Sequence, residues 1–396
     1  MLCQFSTQLI DPNSGPNDPA SAYYGKLYGG ARAGYYRMDD FWEVPQWIAF
    51  AAYFLPDADV LIIRDMQEAV GFLQTAGYTR IAFSVLDVNR ALVREIAQNY
   101  TGQVDCGGYI DGAYCADLPN ITWYDSLEEW AKALGIEYRD GADYRHFAGC
   151  RTIPRLTLST GCKFRCAFCD VPKTITETPV SAILRQLDSF RSLDFRLVYL
   201  NDKTFGQASN YRLLPELCKA ILNYNPEFLG FIVQTTPVHL VKLASDAQWF
   251  ADSGIRYVEL GIETYNDSIL ASLNKRQSQQ AHTDKATALL RSLGIGLIPN
   301  IIIGLPGETR ETYANTLEYL ERNADIISHC NIYNLAVYAD TPLEKVLPTA
   351  SASDSNENTL IKSWITDTAA VEWFAESLYT LGCKMLDANN AYNSLT

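Results

Sequence analysis

The sequence predicts an α/β protein in which an open, partial (βα)6 barrel follows a small α/β domain. Three observations carry that reading. Short apolar runs alternate with helical periods over residues 57–140, the alternation resumes from Arg155 on a longer beat, and only six strand–helix repeats can then be counted. Six are too few for a closed eightfold barrel, so the sheet is expected to stay open.

Residues 1–56, rich in Tyr, Gly, Pro and Trp, show no sustained period and read as an irregular aromatic arm, with a helical stretch at Trp47–Leu55. Residues 57–145 read as a small Rossmann-like domain. Apolar Asp59–Ile63 precedes a D-x-x-E start signal at Asp65 and Glu68, then Met66, Ala69, Val70 and Leu73 at helical spacing, stopped by Gly77. Strands are expected at Ile81–Leu86, Gln103–Ile110 and Ile121–Tyr124. A helix follows the Ser126/Glu129 capping pair and buries Leu127, Trp130, Ala131 and Leu134. Residues 146–348 form the barrel, with strands expected near 155–160, 196–201, 230–236, 256–263, 296–304 and 329–338. One crossover helix starts at Thr178-Pro179 and is expected to bury Val180, Ile183, Leu184 and Leu187; another carries Ala286, Leu289, Leu290 and Leu293 and ends at Gly294. Residues 349–396 read as a polar linker and a last helix over about 361–388 with Trp364, Val371, Phe374 and Leu378 on one face.

With 48% hydrophobic and 20% charged residues the chain can bury a sizeable core. Its net charge of −14 repels phosphate backbones, and no dense Lys/Arg run offsets that, which argues against a nucleic-acid partner. No run approaches the roughly 18 apolar residues of a spanning helix, and the N-terminus lacks a basic leader. A cytoplasmic, reducing location is expected, where ten cysteines are thiols or metal ligands.

Three of those cysteines stand apart. Residues 159–170 read STGCKFRCAFCD, placing Cys162, Cys166 and Cys169 on the loop after the first barrel strand, where parallel barrels keep their chemistry. Three thiolates on one short loop can share an iron–sulfur cubane, and no fourth cysteine follows at ferredoxin spacing. One iron would stay open, which is what distinguishes a catalytic metal centre from a closed one. A zinc site would want four ligands, and the nearest histidine is His146.

The C-x3-C-x2-C spacing, with Phe168 before the last cysteine, resembles the signature of the radical S-adenosylmethionine (SAM) superfamily. The resemblance extends over about 155–343: Asn201-Asp202 ends the second strand, Gly261-Ile262-Glu263-Thr264 the fourth, Gly304-Leu305-Pro306-Gly307-Glu308 the fifth, and Thr341-Pro342-Leu343 follows the sixth. It implies a 4Fe–4S cluster on the three cysteines, SAM chelated by the open iron, reductive cleavage to a 5′-deoxyadenosyl radical, and an electron donor such as flavodoxin or ferredoxin. Phe168, Asp202, Gln234, Glu263 and Gly304 are the residues it suggests for SAM contacts. The superfamily's Gly-Gly-Glu segment is missing; Asn201-Asp202-Lys203 stands in its place.

The α/β unit ahead of the barrel, with the runs CAFCDVPK (166–173), VYLNDKTFG (198–206) and GIRYVELGIET (254–264), resembles the cobalamin-binding branch of hopanoid C-methylase type. That branch implies radical methylation with cobalamin near Ile81–Leu86 and Gly107-Gly108. A D-x-H-x-x-G cobalamin motif is absent, and a degenerate domain in a cobalamin-independent enzyme stands beside the first reading. Two further classes stay open: a methylthiotransferase of tRNA or ribosomal protein, which would recruit Cys3, Cys106, Cys115 or Cys150 to a second cluster, and an iron–sulfur carrier or sensor.

Overall fold

The computed structural model describes residues 1–6, 9, 19–29, 44–86, 89–108, 117–338, 341–347, 365 and 367–388. They divide into two compact units: one gathers residues within Met1–Gly15, Ala33–Thr152 and Leu184–Asp194, the other within Pro16–Arg32, Ile153–Ile183 and Phe195–Thr396.

The first unit carries, among the described residues, a five-stranded parallel sheet of β1 (Leu2–Phe5), β2 (Val60–Ile63), β3 (Arg80–Val85), β4 (Gln103–Gly108) and β5 (Ile121–Trp123), in the order β2-β1-β3-β4-β5. The expected capping signals are made. Asp65 accepts from the Glu68 N–H at 2.9 Å, and Ser126 accepts from the Glu129 N–H at 3.1 Å. Glu129 reaches back to the Asp125 N–H, one residue before the N-cap. Cys3, Phe5, Ile81, Phe83, Val93, Ile96, Val104 and Cys106 share one apolar core.

The described residues of 1–56 do not form a separate irregular arm. Leu2–Phe5 is an interior strand of this sheet, the helix Gln46–Phe54 belongs to the same unit, and the helix Pro19–Gly29 belongs to the other. A strand buried on both faces has no polar–apolar alternation to betray it. Gly107 and Gly108 close the backbone packing of β4: a Cβ at Gly108 would stand 2.0 Å from the Val85 carbonyl oxygen, and one at Gly107 2.9 Å from that of Tyr124.

The second unit holds the open barrel. β6 (Arg155–Leu156), β9 (Leu197–Leu200), β10 (Gly230–Thr235), β11 (Ile255–Glu263), β12 (Gly296–Ile303) and β13 (Asn331–Asn334) lie side by side in chain order, all parallel. Between β6 and β9 a small antiparallel ribbon pairs β7 (Ser159–Thr160) with β8 (Thr176–Glu177). The helix Val180–Ser189 buries Ala182, Ile183 and Leu187, whereas Val180 and Leu184, expected to be buried, are each 49% exposed. The last helix runs Thr368–Ala388 and docks on Pro19–Gly29, with Tyr23 against Tyr379 and the Tyr23 hydroxyl donating to the Cys330 carbonyl at 2.6 Å. The expected linker 349–359 and Trp364 lie outside the described residues.

In the first unit Asp105 is buried on β4 and accepts from the Trp130 indole N–H at 2.6 Å and from Arg80 at 2.9 Å. Asp105→Ala leaves the buried indole donor unpaired and is expected to lower stability by about 2 kcal/mol, while Trp130→Phe, which leaves Arg80 on the carboxylate, loses less hydrogen bonding but some packing. Urea unfolding of each variant measures it; a neutral Asp105→Ala would contradict the account.

Candidate functional site

The cysteine loop is a lasso. Its two ends are zipped by the β7–β8 ribbon, Ser159 facing Glu177 and Thr160 facing Thr176. Just inside the ribbon Gly161 has φ +82°, and a Cβ there would lie 1.9 Å from the Thr174 carbonyl oxygen, so only glycine lets the two arms approach. The Cys162 N–H donates to the Pro172 carbonyl at 2.9 Å, and Lys173 donates to the Cys169 carbonyl at 3.1 Å.

Two clasps hold the lasso to the ends of barrel strands. On one side, the turn after β9 brings Thr204 Oγ1 within 3.3 Å of Cys162 Sγ; Gln207 accepts from the Lys163 N–H at 2.9 Å and points its amide N–H at Cys162 Sγ, 3.7 Å away. His239, buried at the start of the helix Pro237–Leu243, meets the Lys163 ammonium at 3.3 Å and the edge of Phe164. Burial, with Lys163 and Lys242 nearby, lowers its pKa to about 4. On the other side, the turn 273–277, which follows the short helix Asp267–Ser272 after β11, supplies three bonds. The Leu273 carbonyl accepts from the Ala167 N–H at 2.8 Å, Asn274 donates to the Arg165 carbonyl at 2.8 Å, and Gln277 donates to Cys166 Sγ at 3.3 Å.

Below that turn lies a buried ion pair. Lys275 donates to Glu263, and both side chains are 8% exposed. Glu263 ends β11 with φ 65°, a left-handed conformation that a glutamate adopts only when its surroundings enforce it. The register between β11 and β12 slips between Gly261 and Glu263, and a Cβ on Gly261 would stand 2.9 Å from the Lys275 nitrogen. The Lys275 ammonium also sits 5.5 Å from the centre of the Phe168 ring.

Asp202, at the end of β9, bonds the base of the lasso. It is buried, accepts from the Leu158 N–H at 3.1 Å and from the Ser159 hydroxyl, and so ties the base of the loop to the end of β9. Gln234 is half-buried near the end of β10, in register with Glu259 of β11. Gly304 takes φ +86° just after β12, and its backbone is hydrogen-bonded by the Tyr313 side chain. Phe168 packs partly buried against Ile269, Leu273, Ile302, Leu305 and Leu343.

The sequence reading missed Thr204, Gln207 and Gln277, which lie 42 to 111 residues from the thiols they approach, and Lys275, which pairs with Glu263. It also missed a row of polar side chains crossing the sheet. Glu259 accepts from the Tyr199 hydroxyl at 2.7 Å and from Asn300 at 2.9 Å, Asn300 accepts from Asn331 at 3.0 Å, and the Arg155 guanidinium lies 4.4 Å over the Tyr199 ring. Polar alternation inside β9, β11, β12 and β13 was the available signal. Cys3 and Cys106 are core residues of the first unit, and burial pushes the Cys3 thiol up to about 12; Cys115 lies outside the described residues.

The sequence pattern of the Radical SAM superfamily matches residues 156–320. Those residues are a radical SAM domain. The chain is similar to the ribosomal protein uS12 methylthiotransferase RimO of Thermosipho melanesiensis, 26% identical over 179 residues, 41% of this chain and 40% of that protein. It is also similar to a tRNA-2-methylthio-N(6)-dimethylallyladenosine synthase of Desulfosudis oleivorans, 24% identical over 195 residues, 48% of this chain and 41% of that one. The chain therefore spans less than half the length of these curated relatives. In fold it resembles the radical SAM methyltransferase TsrM of Kitasatospora setae, solved with cobalamin and a 4Fe–4S cluster, with TM-score 0.60 and 16% identity over 85% of this chain and 82% of that one. It likewise resembles the cobalamin-dependent radical SAM enzyme OxsB, with TM-score 0.54 and 15% identity over 84% of this chain and 54% of that one. The radical SAM domain thus takes in the lasso, both clasps and the ion pair. Among the described residues no helix is long and apolar enough to cross a membrane.

Asp202 gives the domain a pH signature. Burial raises its pKa from the usual 3.8 to about 6 against the pull of its hydrogen bonds. The folded state then favours the protonated acid, so stability that is present below about pH 4 is lost as the pH rises through 6, by roughly 3 kcal/mol at most. Asn at this position can still bond Leu158 and Ser159 but does not titrate. Urea unfolding of metal-free protein at pH 4.5 and pH 7 should show this drop in the native chain and a smaller one in Asp202→Asn; equal slopes would rule Asp202 out as its source.

Proposed function

We propose that the protein is a radical SAM enzyme that holds a 4Fe–4S cluster on Cys162, Cys166 and Cys169 and cleaves SAM reductively to modify its substrate by radical methylation. The observation that carries the reading is the donor set on the lasso. Three cysteines sit on one loop, and Cys162 and Cys166 already receive hydrogen bonds or close polar contacts at sulfur from Thr204, Gln207 and Gln277. Such contacts suit thiolates, whose charge they share. Among the described residues no three His, Cys, Asp or Glu side chains close up to the shell of a single ion; the corners of a cubane are spaced more widely. Bound there, the cluster would supply the electron that splits SAM and an open iron to chelate its amino and carboxylate groups.

The chain's own residues then bind and orient. The Glu263–Lys275 pair offers a carboxylate and an ammonium beside the lasso, a match for the zwitterionic end of SAM, at a depth that excludes water and strengthens each charge. Phe168 offers an aromatic face on the same loop. Gln234 near the end of β10 and Gly304 just after β12, on strands flanking β11, are further contacts in this reading, and Asp202 at the end of β9 also positions the base of the loop.

Anaerobic reconstitution tests this reading. Alanine at Cys162, Cys166 or Cys169 is expected to abolish the 4Fe–4S absorbance and all 5′-deoxyadenosine formation under dithionite. Lys275→Met should keep the iron but weaken the SAM-induced change in the electron paramagnetic resonance signal at least tenfold in affinity. An intact cluster in Cys166→Ala would refute the assignment. Should Lys275→Met fail to fold because it strands the buried carboxylate, Lys275→Met with Glu263→Gln removes that charge and reads the same affinity.

Methylation with cobalamin as a second cofactor is supported by the likeness to TsrM and OxsB across both units. The glycines of β4 do not add to that support, since strand packing accounts for them. The methylthiotransferase reading draws on the named relatives, but Cys3 and Cys106 are committed to the core. Titration with hydroxocobalamin, followed by absorbance after gel filtration, is expected to reach one corrin per chain; a protein that retains none points to a cobalamin-independent radical enzyme.

A further inference from the structure

Two side-chain amides aim at sulfurs of the cysteine loop, one from each clasp. Half-buried Gln277 donates to Cys166 Sγ at 3.3 Å, and among the described residues its side chain makes no other bond. Half-buried Gln207 donates to Cys162 Sγ at 3.7 Å. Its orientation is fixed, because Oε1 already accepts from the Lys163 N–H at 2.9 Å and leaves Nε2 for the sulfur. Thr204 Oγ1 lies 3.3 Å from Cys162 Sγ, but its single proton is also drawn to the Lys203 carbonyl at 2.8 Å, so the amides are the committed donors. Cys169 Sγ has no side-chain donor among the described residues. Cys3, Cys218 and Cys330, away from the loop, have none either, so such donors are not a general feature of this chain's thiols.

We infer that Gln207 and Gln277 set the reduction potential of the cluster held by these cysteines, raising it by donating to two of its three thiolates. The inference rests on the cluster assignment made above. Reduction brings in one electron from a one-electron donor and no proton, so the added negative charge spreads onto the sulfurs and stays there. An N–H dipole aimed at a thiolate stabilises the reduced form more than the oxidised one, and in a half-buried setting water screens it little. The chain at large works the other way, since a net charge of −14 opposes a further electron. Gln277 has the shorter contact and no second bond, so it carries the larger share. The rival role for both side chains is to clasp the loop. Asn274 already does that from the turn that carries Gln277, donating to the Arg165 carbonyl at 2.8 Å without touching a sulfur.

The test is a redox titration of the full, reconstituted chain in the absence of SAM, with dithionite as the reductant and the electron paramagnetic resonance signal of the reduced cluster as the readout. Gln277→Met keeps the length of the side chain and removes the donor. It should lower the reduction equilibrium constant by about threefold to tenfold, tenfold being about 59 mV for one electron. Gln207→Met should lower it by less. Asn274→Gly loosens the same turn, in a left-handed conformation (φ 53°) that glycine accepts, and should leave the potential unchanged. Iron content is measured alongside for every variant. Native potentials in both glutamine variants at full iron content would overturn the inference. So would an equal fall in Asn274→Gly, which would trace the shift to a loosened loop. Loss of the cluster from both glutamine variants, with Asn274→Gly still loaded, would make them holders of the cluster and overturn the tuning role as well. A native chain that takes up no four-iron cluster would overturn the function proposed above instead.

Discussion

A carboxylate and an ammonium buried together organise the candidate site. Taking Glu263 and Lys275 out of water is costly, and the cost is offset only because each satisfies the other at close range. That requirement shapes everything around it. It holds Glu263 in a left-handed conformation, breaks the β11–β12 register beside Gly261, and sets the height at which the chain turns back over 273–277. The same turn then supplies Leu273, Asn274 and Gln277 to the cysteine loop. An apolar pair of similar volume could fill the space, but it would offer nothing to a zwitterionic ligand.

The cysteine loop itself is long for a rigid element and carries little apolar bulk of its own. Its order comes from closure at the β7–β8 ribbon and from bonds reaching it on both flanks, with Asp202 tying down its base. Ordering the loop before any cofactor arrives reduces the entropy lost on binding, which is the general benefit of a pre-organised site. Buried polar contacts at Cys162 and Cys166 serve the same end, because they leave the sulfurs few alternative orientations.

Much of the barrel was legible because its strands are apolar runs bounded by turn residues and its helices are amphipathic. β10, β11 and β12 fall within a residue or so of the expected ranges, and the cysteine spacing marked the loop that matters. What stayed hidden had a physical reason in each case. Leu2–Phe5 is buried on both faces and shows no period, so it read as part of an arm although it lies inside a sheet. Val180 and Leu184 fit a helical stripe but face outward, since periodicity marks a face without saying what covers it. Asp202 and Glu263 looked alike as acids at strand ends, yet one binds backbone and hydroxyl groups while the other pairs with a lysine.

Local sequence by itself therefore determined the strand–helix order, the caps, and the three thiols on one loop, because each depends on neighbours a few residues away. Only the tertiary structure decided which partners those groups meet. Lys275 reaches Glu263 across 12 residues, Gln277 reaches Cys166 across 111, and Asn300 reaches Glu259 across 41. Parallel strands bring such residues together through crossovers whose lengths leave no trace in any short window of sequence.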